Sequence, residues 1–288
     1  MIADAIESVR ADEGVTVEHI VVDGGSTDGT IEAVRRYPHV RLIVAAGSGI
    51  YEALNIGIKA AQGGIIGHLN SDDLLPRGAL AAVAAAFDRN PDAESVRGMA
   101  RYVRLDENGK GPASACVLRD YPQQLDLPTV VDGELAINTI FTRAEAYRRI
   151  GPYDETLPLA ADREWLLRAH IRGLRIVQIE ADTYVYRIHA KSLTLDPAIA
   201  NSRKLRAEAV EIARRYLRDP ATPREVQRLC LRWHAKNAAL MAASHLRLHY
   251  SVSTFREFFA TDPFWPVRFL SQIPALVTRR IRRRLQAI

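Results

Sequence analysis

The feature that most restricts the fold is an apolar segment that ends in two adjacent carboxylates, in the stretch IIGHLNSDDL at 65–74. The apolar residues predict a buried strand, and Asp72 and Asp73 follow where that strand ends. In an open α/β sheet, ligands bind in the crevice beyond the carboxyl ends of the strands. Two carboxylates in this place predict a site that holds a hard divalent cation or handles protons.

The side chains of this acidic turn can be assigned to faces. Alternation along an extended chain would place Asn70 and Asp72 on one face and Asp73 on the other. The alternative is that the turn only caps the helix that follows it. The functional interpretation is favoured because a second predicted strand, at 17–23, also ends in an acid, Asp23, and runs into a Gly/Ser/Asp turn.

The first ninety residues alternate predicted helices and strands. This alternation predicts parallel βαβ units with right-handed crossovers. Besides the strands at 17–23 and before Asp72, the expected elements are a strand at 40–44 and helices at 1–12, 28–36, 50–61 and 77–89.

After residue 91 the pattern changes, and an Asn-Gly pair between two predicted strands indicates a hairpin. The expected strands are 95–105, 113–118, 135–141, 175–178 and 183–187, with helices at 143–150 and 161–172. Beyond about residue 201 only helices are expected, at 203–218, 223–249 and 252–260. The sequence therefore predicts an α/β domain at 1–195, with halves at about 1–90 and 91–195, and a helical region at 196–288.

Composition excludes several classes of protein. A chain of 288 residues that is 48% hydrophobic is long and apolar enough for a buried core. Its two cysteines stand in no CxxC pattern, which argues against a disulfide framework or a zinc site. No apolar run reaches the roughly 18 residues of a spanning helix. We expect a cytoplasmic protein with no nucleic-acid partner.

Four motifs carry a resemblance to a known family. They are VVDGGSTDGT at 21–30, GIYEALNIGI at 49–58, NSDD at 70–73 and ADREWLLR at 161–168. Their order and spacing resemble glycosyltransferase family 2 over about residues 1–195. The resemblance implies a GT-A (Rossmann-like) fold with a mixed sheet flanked by helices. It also implies an inverting transferase that uses a nucleotide-sugar donor, preferably a UDP-sugar, and Mg or Mn.

The resemblance also implies roles for individual residues. Asp72 would hold the cation that bridges the diphosphate, with Asp73 and His189 beside it, and carboxylate oxygens suit Mg or Mn. Asp23 would lie near the nucleoside and Asn70 near the ribose. Further substrate contacts are expected for Gly25, Ser26, Asn55, Asp73, Glu164 and Arg187.

Asp162 matches the catalytic base of the family. It would take a proton from the acceptor hydroxyl as that oxygen attacks the sugar. The alternative is that Asp162 is an N-cap, whose side chain only satisfies backbone amides. Glu164 lies two positions further along the same helix and therefore points about 200° away from Asp162, so it is expected to be structural or to face the acceptor.

The family usually opens with a strand that reads roughly Val-Ile-Pro-Thr-Tyr-Asn, and this sequence begins at the helix that follows. The expected consequence is an incomplete sheet with an open slot in the nucleotide pocket. Two explanations stay open: the start was assigned too late, or the protein is impaired.

The C-terminal region ends in an apolar segment, FWPVRFL at 264–270, and a basic one, RRIRRR at 279–284. This pattern is typical of an interfacial helix on an anionic membrane, here the inner face of the cell membrane. The alternative is a solvated tail. The leading hypothesis is an enzyme that transfers a sugar to a glycan or polyprenyl-linked acceptor in cell-envelope polysaccharide synthesis. The second is a catalytically impaired homologue that binds membranes or partner proteins.

Overall fold

The computed structural model describes residues 1–10, 14–105, 118–119, 125–133, 136–189, 199–245, 256 and 259–271. Contacts divide the chain into two compact units, Met1–Asp196 and Pro197–Ile288. The first unit is mixed α/β, as predicted, and the described residues of the second form helices.

The N-terminal part of the first unit alternates helices and strands. Strands β1 and β2 pair in parallel along their whole length and form a two-stranded sheet. Helix α3 packs on β1. The elements are α1 (Ile2–Arg10), β1 (His19–Asp23), α2 (Thr30–Arg35), β2 (Val40–Val44), α3 (Ile50–Ala60) and, after β3, α4 (Ala79–Arg89).

A second sheet of five strands contains both parallel and antiparallel pairs. The long β4 is central: β7 runs parallel along one edge, while β6 and β5 pair antiparallel with successive parts of the other. The strands are β3 (Ile65–Ile66), β4 (Ser95–Arg104), β5 (Leu118–Arg119), β6 (Ile140–Arg143) and β7 (Ile176–Ile188).

The strand before the acidic turn does not extend a parallel sheet. β3 pairs antiparallel with β6, and it lies in a different sheet from β1. The prediction of consecutive parallel units through the first ninety residues is therefore wrong at β3. Hydrophobic periodicity identifies a strand but carries no information about its partner.

The two short strands predicted at 175–178 and 183–187 form the single strand β7. Its pairing with β4 shifts register between Arg97 and Ala100, so the predicted gap is a β-bulge. Gly98 explains the close approach of the two strands there. A Cβ atom at this position would lie 2.3 Å from the Thr183 side chain, a distance that would force the strands apart.

Between β5 and β7 the chain is largely helical. The segment predicted as a strand at 135–141 begins as a turn of 3₁₀ helix, Ile137–Thr139, before it enters β6. The hairpin turn predicted near residue 108 lies outside the described residues. The helices are α5 (Leu127–Asp132), α6 (Ala144–Ile150) and α7 (Ala161–Ile171).

The main core lies between the second sheet and α4. Helix α4 is rich in alanine, a strong helix former, and buries Val83 and Phe87 against Val96 of β4 and Tyr184 of β7. Val9 of α1 joins the same cluster, so α1 is part of this core.

The second unit pairs two long helices, α8 (Ile199–Arg218) and α9 (Arg224–His245), and includes a short α10 (Trp265–Leu270). Val210 of α8 packs with buried alanines of α9, and Phe269 of α10 lies against this cluster. None of the helices formed by the described residues has the length and apolarity needed to cross a bilayer.

Candidate functional site

The acidic stretch forms a turn beside β7. The Asp73 amide donates to the Asn70 carbonyl at 3.2 Å, and Leu74 then makes an antiparallel bridge with Val185. The prediction that Asn70 and Asp73 face opposite ways is wrong, because a turn does not alternate its side chains. Nor does this turn cap α4, whose N-cap residue is Gly78.

The Asp73 carboxylate is buried and holds this turn in place. Its Oδ1 accepts from the Arg187 amide at 2.8 Å, and its Oδ2 accepts from the Tyr184 hydroxyl at 2.8 Å and the Asn70 side-chain amide at 3.0 Å. Burial raises the pKa of Asp73, and the charge of Asp72 acts in the same direction. The carboxylate is thus engaged by donors of the protein itself.

Asp72 presents the accessible carboxylate of the pair. Its side chain is 30% exposed, and its Oδ2 lies 3.0 Å from Nε2 of His189. Within the described ranges, no group of three His, Cys, Asp or Glu side chains could hold a metal ion. A cation here would therefore bind through one carboxylate, complete its shell with phosphate oxygens and water, and match the way Mg²⁺ is held in phosphate-transfer sites. The residues present fit such an ion.

Arg187 lies behind this turn. Its Nε donates to the Asp72 carbonyl, its Nη1 bonds Asp4 at 2.8 Å, and its Nη2 donates to the Met1 carbonyl at 3.3 Å. The side chain is only 8% exposed. Arg187 therefore ties α1 to the acidic turn, whereas the sequence predicted a substrate contact.

Asp23 ends β1 and organises the glycine-rich turn that follows. Its Oδ1 accepts from the amides of Gly25 at 2.8 Å and Ser26 at 2.6 Å. Burial would raise the pKa of Asp23, but these hydrogen bonds outweigh it and the net shift is downward. Gly25 has φ +100°, and a Cβ there would lie 3.3 Å from Ala46 Cα, so the turn requires glycine. Ser26 is exposed beside it.

Two further predicted contact residues bind other parts of the protein. The Asn55 side chain donates to the Tyr153 carbonyl at 3.0 Å and accepts from the Tyr153 amide at 2.9 Å. Glu164 forms an ion pair with Arg168 at 2.8 Å. Asn55 thus joins α3 to the segment before α7, and Glu164 braces α7.

Asp162 is the second residue of α7. The N-cap of this helix is Ala160, so Asp162 is not the N-cap itself, although its side chain does satisfy a backbone amide in the first turn, as that alternative predicted. The carboxylate accepts hydrogen bonds from the Arg163 amide at 2.6 Å and from the Tyr51 hydroxyl. Burial raises the pKa of Asp162 despite these bonds and the positive charge of Arg163. A raised pKa makes the carboxylate a better proton acceptor.

Tyr186 relates the acidic turn to Asp162. Burial raises its pKa, and the negative charges of Asp73 and Asp162 add to that effect. The charges of both carboxylates therefore act on the same side chain of β7.

Three residues of this region have no predicted role in the sequence. Tyr184 bonds Asp73, and His68 and Tyr153 lie near Asp162. His68 stands within the acidic stretch itself, so its position was a usable signal. Tyr153 and Tyr184 lie in segments where the sequence gives only strand and loop patterns.

Comparisons with known proteins identify the family to which this chain is similar. Residues 1–133 match the family described as "Glycosyl transferase family 2". The chain is 28% identical to the succinoglycan biosynthesis protein ExoO of Rhizobium meliloti, over 98% of this chain and 84% of that protein. It is 30% identical to the uncharacterized glycosyltransferase Rv1514c of Mycobacterium tuberculosis, over 62% of this chain and 68% of that protein.

Solved structures share the fold. The complex of S. aureus TarS 1-349 with UDP-GlcNAc superposes with a TM-score of 0.65 at 17% identity, covering 93% of this chain and 77% of that one. The mannosyltransferase PcManGT from Pyrobaculum calidifontis, in complex with GDP-Man and Mn²⁺, gives a TM-score of 0.55 at 16% identity, over 94% and 82% of the two chains.

Proposed function

The chain belongs to glycosyl transferase family 2 and has a GT-A fold, and we propose that it is an inverting enzyme of polysaccharide biosynthesis. It transfers a sugar from a nucleoside diphosphate to a glycan or polyprenyl-linked acceptor. The similarity to ExoO, named for succinoglycan biosynthesis, supports the assignment to polysaccharide synthesis.

The observation that carries this proposal concerns two carboxylates, Asp72 and Asp162. Buried Asp73 fixes the turn that exposes Asp72 beside His189, and the charge of Asp162 acts on Tyr186 of the neighbouring strand, β7. One carboxylate is thus available to a cation on the diphosphate and the other to the acceptor hydroxyl. Phosphate-bound sugars are transferred by this combination of charge neutralisation and base catalysis.

The donor lies, in this proposal, between the turn after β1 and the acidic turn. Asp23 holds the turn that contains Gly25 and Ser26, next to the nucleoside, and Asn70 lies next to the ribose. TarS with UDP-GlcNAc and PcManGT with GDP-Man and Mn²⁺ support a nucleotide-sugar donor and a divalent cation. We favour a UDP-sugar. A cation bound at Asp72, with His189 beside it, would neutralise the charge that develops on the diphosphate.

Asp162 acts as the base. Its carboxylate takes the proton of the acceptor hydroxyl while that oxygen forms a bond to the anomeric carbon. The bond from this carbon to the diphosphate oxygen breaks on the opposite face, which inverts the configuration. The N-terminus of α7 favours the ionised carboxylate, and the raised pKa of Asp162 suits proton uptake.

We propose that the enzyme encounters its acceptor at a membrane surface. Phe264, Val267 and Leu270 of the second unit are each more than 60% exposed. Such a surface, with the arginines of the C-terminal sequence, suits the interface of an anionic bilayer. Location at the cytoplasmic side of the cell membrane is part of the same proposal.

Isothermal titration calorimetry tests the donor site. UDP-GlcNAc, UDP-glucose and GDP-mannose are titrated with and without Mn²⁺, and at least one is expected to bind in a Mn²⁺-dependent way. Asp72→Asn should reduce that affinity about tenfold or more, since a charged ligand to the ion is lost. Asp88→Asn, an exposed aspartate at the end of α4, is the matched control.

Measurements of turnover distinguish the proposed roles of Asp72 and Asp162. Asp162→Asn should bind the donor within about twofold of the wild type yet lose at least 100-fold in release of the nucleotide, the range of general base catalysis. Unchanged turnover in this variant would remove Asp162 from its role. A folded protein that binds none of the three nucleotides with metal would instead favour the non-catalytic, membrane-binding or partner-binding homologue.

A further inference from the structure

His68 lies between β3 and the acidic turn, and the mechanism above gives it no role. Its Nε2 lies 2.9 Å from the Tyr147 hydroxyl and 3.2 Å from the Tyr153 hydroxyl. The two hydroxyl oxygens are 3.3 Å apart. Three polar groups from different segments therefore form a closed triangle inside the first unit.

Tyr153 is held in place through both its backbone and its hydroxyl. Its hydroxyl belongs to this triangle, and its backbone amide and carbonyl both bond the side chain of Asn55. The ring also lies against Tyr51 and Trp165, with centroid distances of 5.6 Å and 5.8 Å. Tyr153 has little freedom to leave its place.

A cavity of about 10 Å³ connects this triangle with Asp162. Its walls include His68, Tyr147, Tyr153, Asp162 and Trp165. Asp162 and Trp165 are three residues apart on α7 and share a face of the helix. The volume is about that of a single water molecule, and the polar groups of His68, Tyr147, Tyr153 and Asp162 meet at a space whose walls are otherwise mainly apolar.

On the basis of the proposed role of Asp162, we propose that His68 is a positioning residue. It holds the hydroxyls of Tyr147 and Tyr153 beside the carboxylate, so that they stabilise its negative charge through the cavity. His68 does not touch the substrate; it acts on the base through the tyrosines.

The charges around Asp162 are consistent with this role. Arg163 on α7 and the Tyr51 hydroxyl on α3 contact the carboxylate, and Tyr186 of β7 lies near it. Burial raises the pKa of Tyr153, and the negative charges of its neighbours, including Asp162, raise it further, so its hydroxyl stays protonated and able to donate.

The histidine itself contributes hydrogen bonding rather than charge. Burial lowers the pKa of His68 to about 4, which keeps the ring neutral at ordinary pH. A neutral imidazole can accept from one hydroxyl or donate to it, and phenylalanine can do neither. Replacement of His68 by phenylalanine would leave the buried hydroxyls of Tyr147 and Tyr153 without this partner, and they would reorient.

Carbon NMR of the protein without donor tests the proposal. With ¹³C at the aspartate side-chain carboxyl, the Asp162 signal is the one absent from Asp162→Asn, and its pKa is read by titration. Tyr153→Phe and His68→Phe should each raise that pKa by about 0.5 unit or more, because a group that stabilises the charged form is lost. His68→Gln, which keeps a hydrogen-bonding amide, should shift it less.

Tyr37→Phe removes a hydroxyl outside the triangle and should leave the Asp162 pKa unchanged. Thermal unfolding of each variant establishes whether it is folded. If His68→Phe does not fold, the Asp162 pKa in Tyr153→Phe, which lacks only one oxygen atom, is the measurement that tests the proposal. An Asp162 pKa in Tyr153→Phe equal to that of the wild type overturns the proposal. The titration needs no turnover, so failure of the proposed function would be recognised separately: by wild-type turnover in Asp162→Asn for the role of the base, and by absent nucleotide binding for the transferase itself.

Discussion

The hydroxyl of Tyr184 donates to Oδ2 of Asp73 at 2.8 Å and joins the acidic turn to the centre of β7. The same oxygen accepts from the Asn70 amide at 3.1 Å and from the Asn138 side chain at 3.2 Å. One phenol thus connects the acidic turn with the 3₁₀ segment that precedes β6. The orientation of Asp72 depends on a residue that is more than one hundred positions away in sequence.

Tyr184→Phe should therefore weaken both the fold and the cation site. The change leaves buried Asp73 short of a donor, which costs about 1–3 kcal/mol in the free energy of unfolding. We expect Mn²⁺-dependent nucleotide affinity to fall about three- to tenfold, since the turn that presents Asp72 becomes less rigid. Urea denaturation and calorimetry measure the two effects.

Tyr37→Phe serves again as the control, since its hydroxyl is not bound to the acidic turn. If Tyr184→Phe matched the wild type in both measurements, the connection through this hydroxyl would have no energetic role. A loss of stability without a loss of affinity would mean that Asp73 holds the core but not the orientation of Asp72.

Asp162→Asn should make the protein more stable. The pKa of Asp162 is raised above 3.8 in the folded state, chiefly by burial, so the folded protein binds more protons than the unfolded chain between these two pKa values. Wild-type stability consequently falls as pH rises through that window and stays lower above it. The asparagine variant lacks this loss and should be more stable at pH 7 by on the order of 1 kcal/mol.

Urea denaturation at several pH values between about 4 and 8 measures this difference. The advantage of the variant should shrink towards the acid end, where the unfolded chain approaches the proton occupancy of the folded state. A variant that is less stable than the wild type at every pH would instead indicate that the carboxylate serves to stabilise α7.

Local pattern was sufficient for most of the fold. The strand at 40–44 has the predicted bounds, and α3, α4, α6 and α7 begin or end within two residues of the predicted positions. These elements have strong periodicity and clear Gly or Pro boundaries. Pairing was not accessible in this way: whether β3 lies beside β1 or β6 depends on contacts between distant segments, which periodicity does not encode.

The candidate site, like the fold, was only partly predictable from the sequence. Asp23, Asp72 and Asp162 were selected because their motifs resemble those of the family, and their roles stay predictions. Spacing could not tell that Asn55 bonds the backbone of Tyr153 or that Glu164 pairs with Arg168, since these partners come together only in three dimensions. Residues within a motif therefore include some whose side chains bond other parts of the protein, and their substrate contacts stay predictions.

Arg187→Lys distinguishes a structural arginine from a substrate-binding one. The guanidinium reaches the Asp72 carbonyl, the Met1 carbonyl and Asp4 at once, and a lysine cannot reproduce that fork. The free energy of unfolding should fall by about 2 kcal/mol, because buried carbonyls lose their donors. Asp4→Asn should cost less than about 1 kcal/mol, since the Asp4 side chain is 58% exposed.

Urea denaturation of both variants gives these values. If Arg187 instead contributed only positive charge to a bound diphosphate, the lysine variant would keep wild-type stability and most of the nucleotide affinity. That result would support the substrate contact predicted from the sequence.

Membrane association can be tested on the exposed apolar residues of the second unit. Phe264, Val267 and Leu270 are 61–64% exposed, so replacing all three by serine should leave the thermal unfolding temperature nearly unchanged. Binding to vesicles that contain phosphatidylglycerol should fall at least tenfold, because three side chains no longer leave water on docking. Leu205→Ser, at a residue of α8 that is 46% exposed, is the control for a general loss of surface hydrophobicity. If the triple variant and the wild type sedimented equally with these vesicles, the apolar surface would be excluded as the membrane contact. If the binding of the triple variant were then also sensitive to salt, the attraction to the membrane would be assigned to the arginines alone.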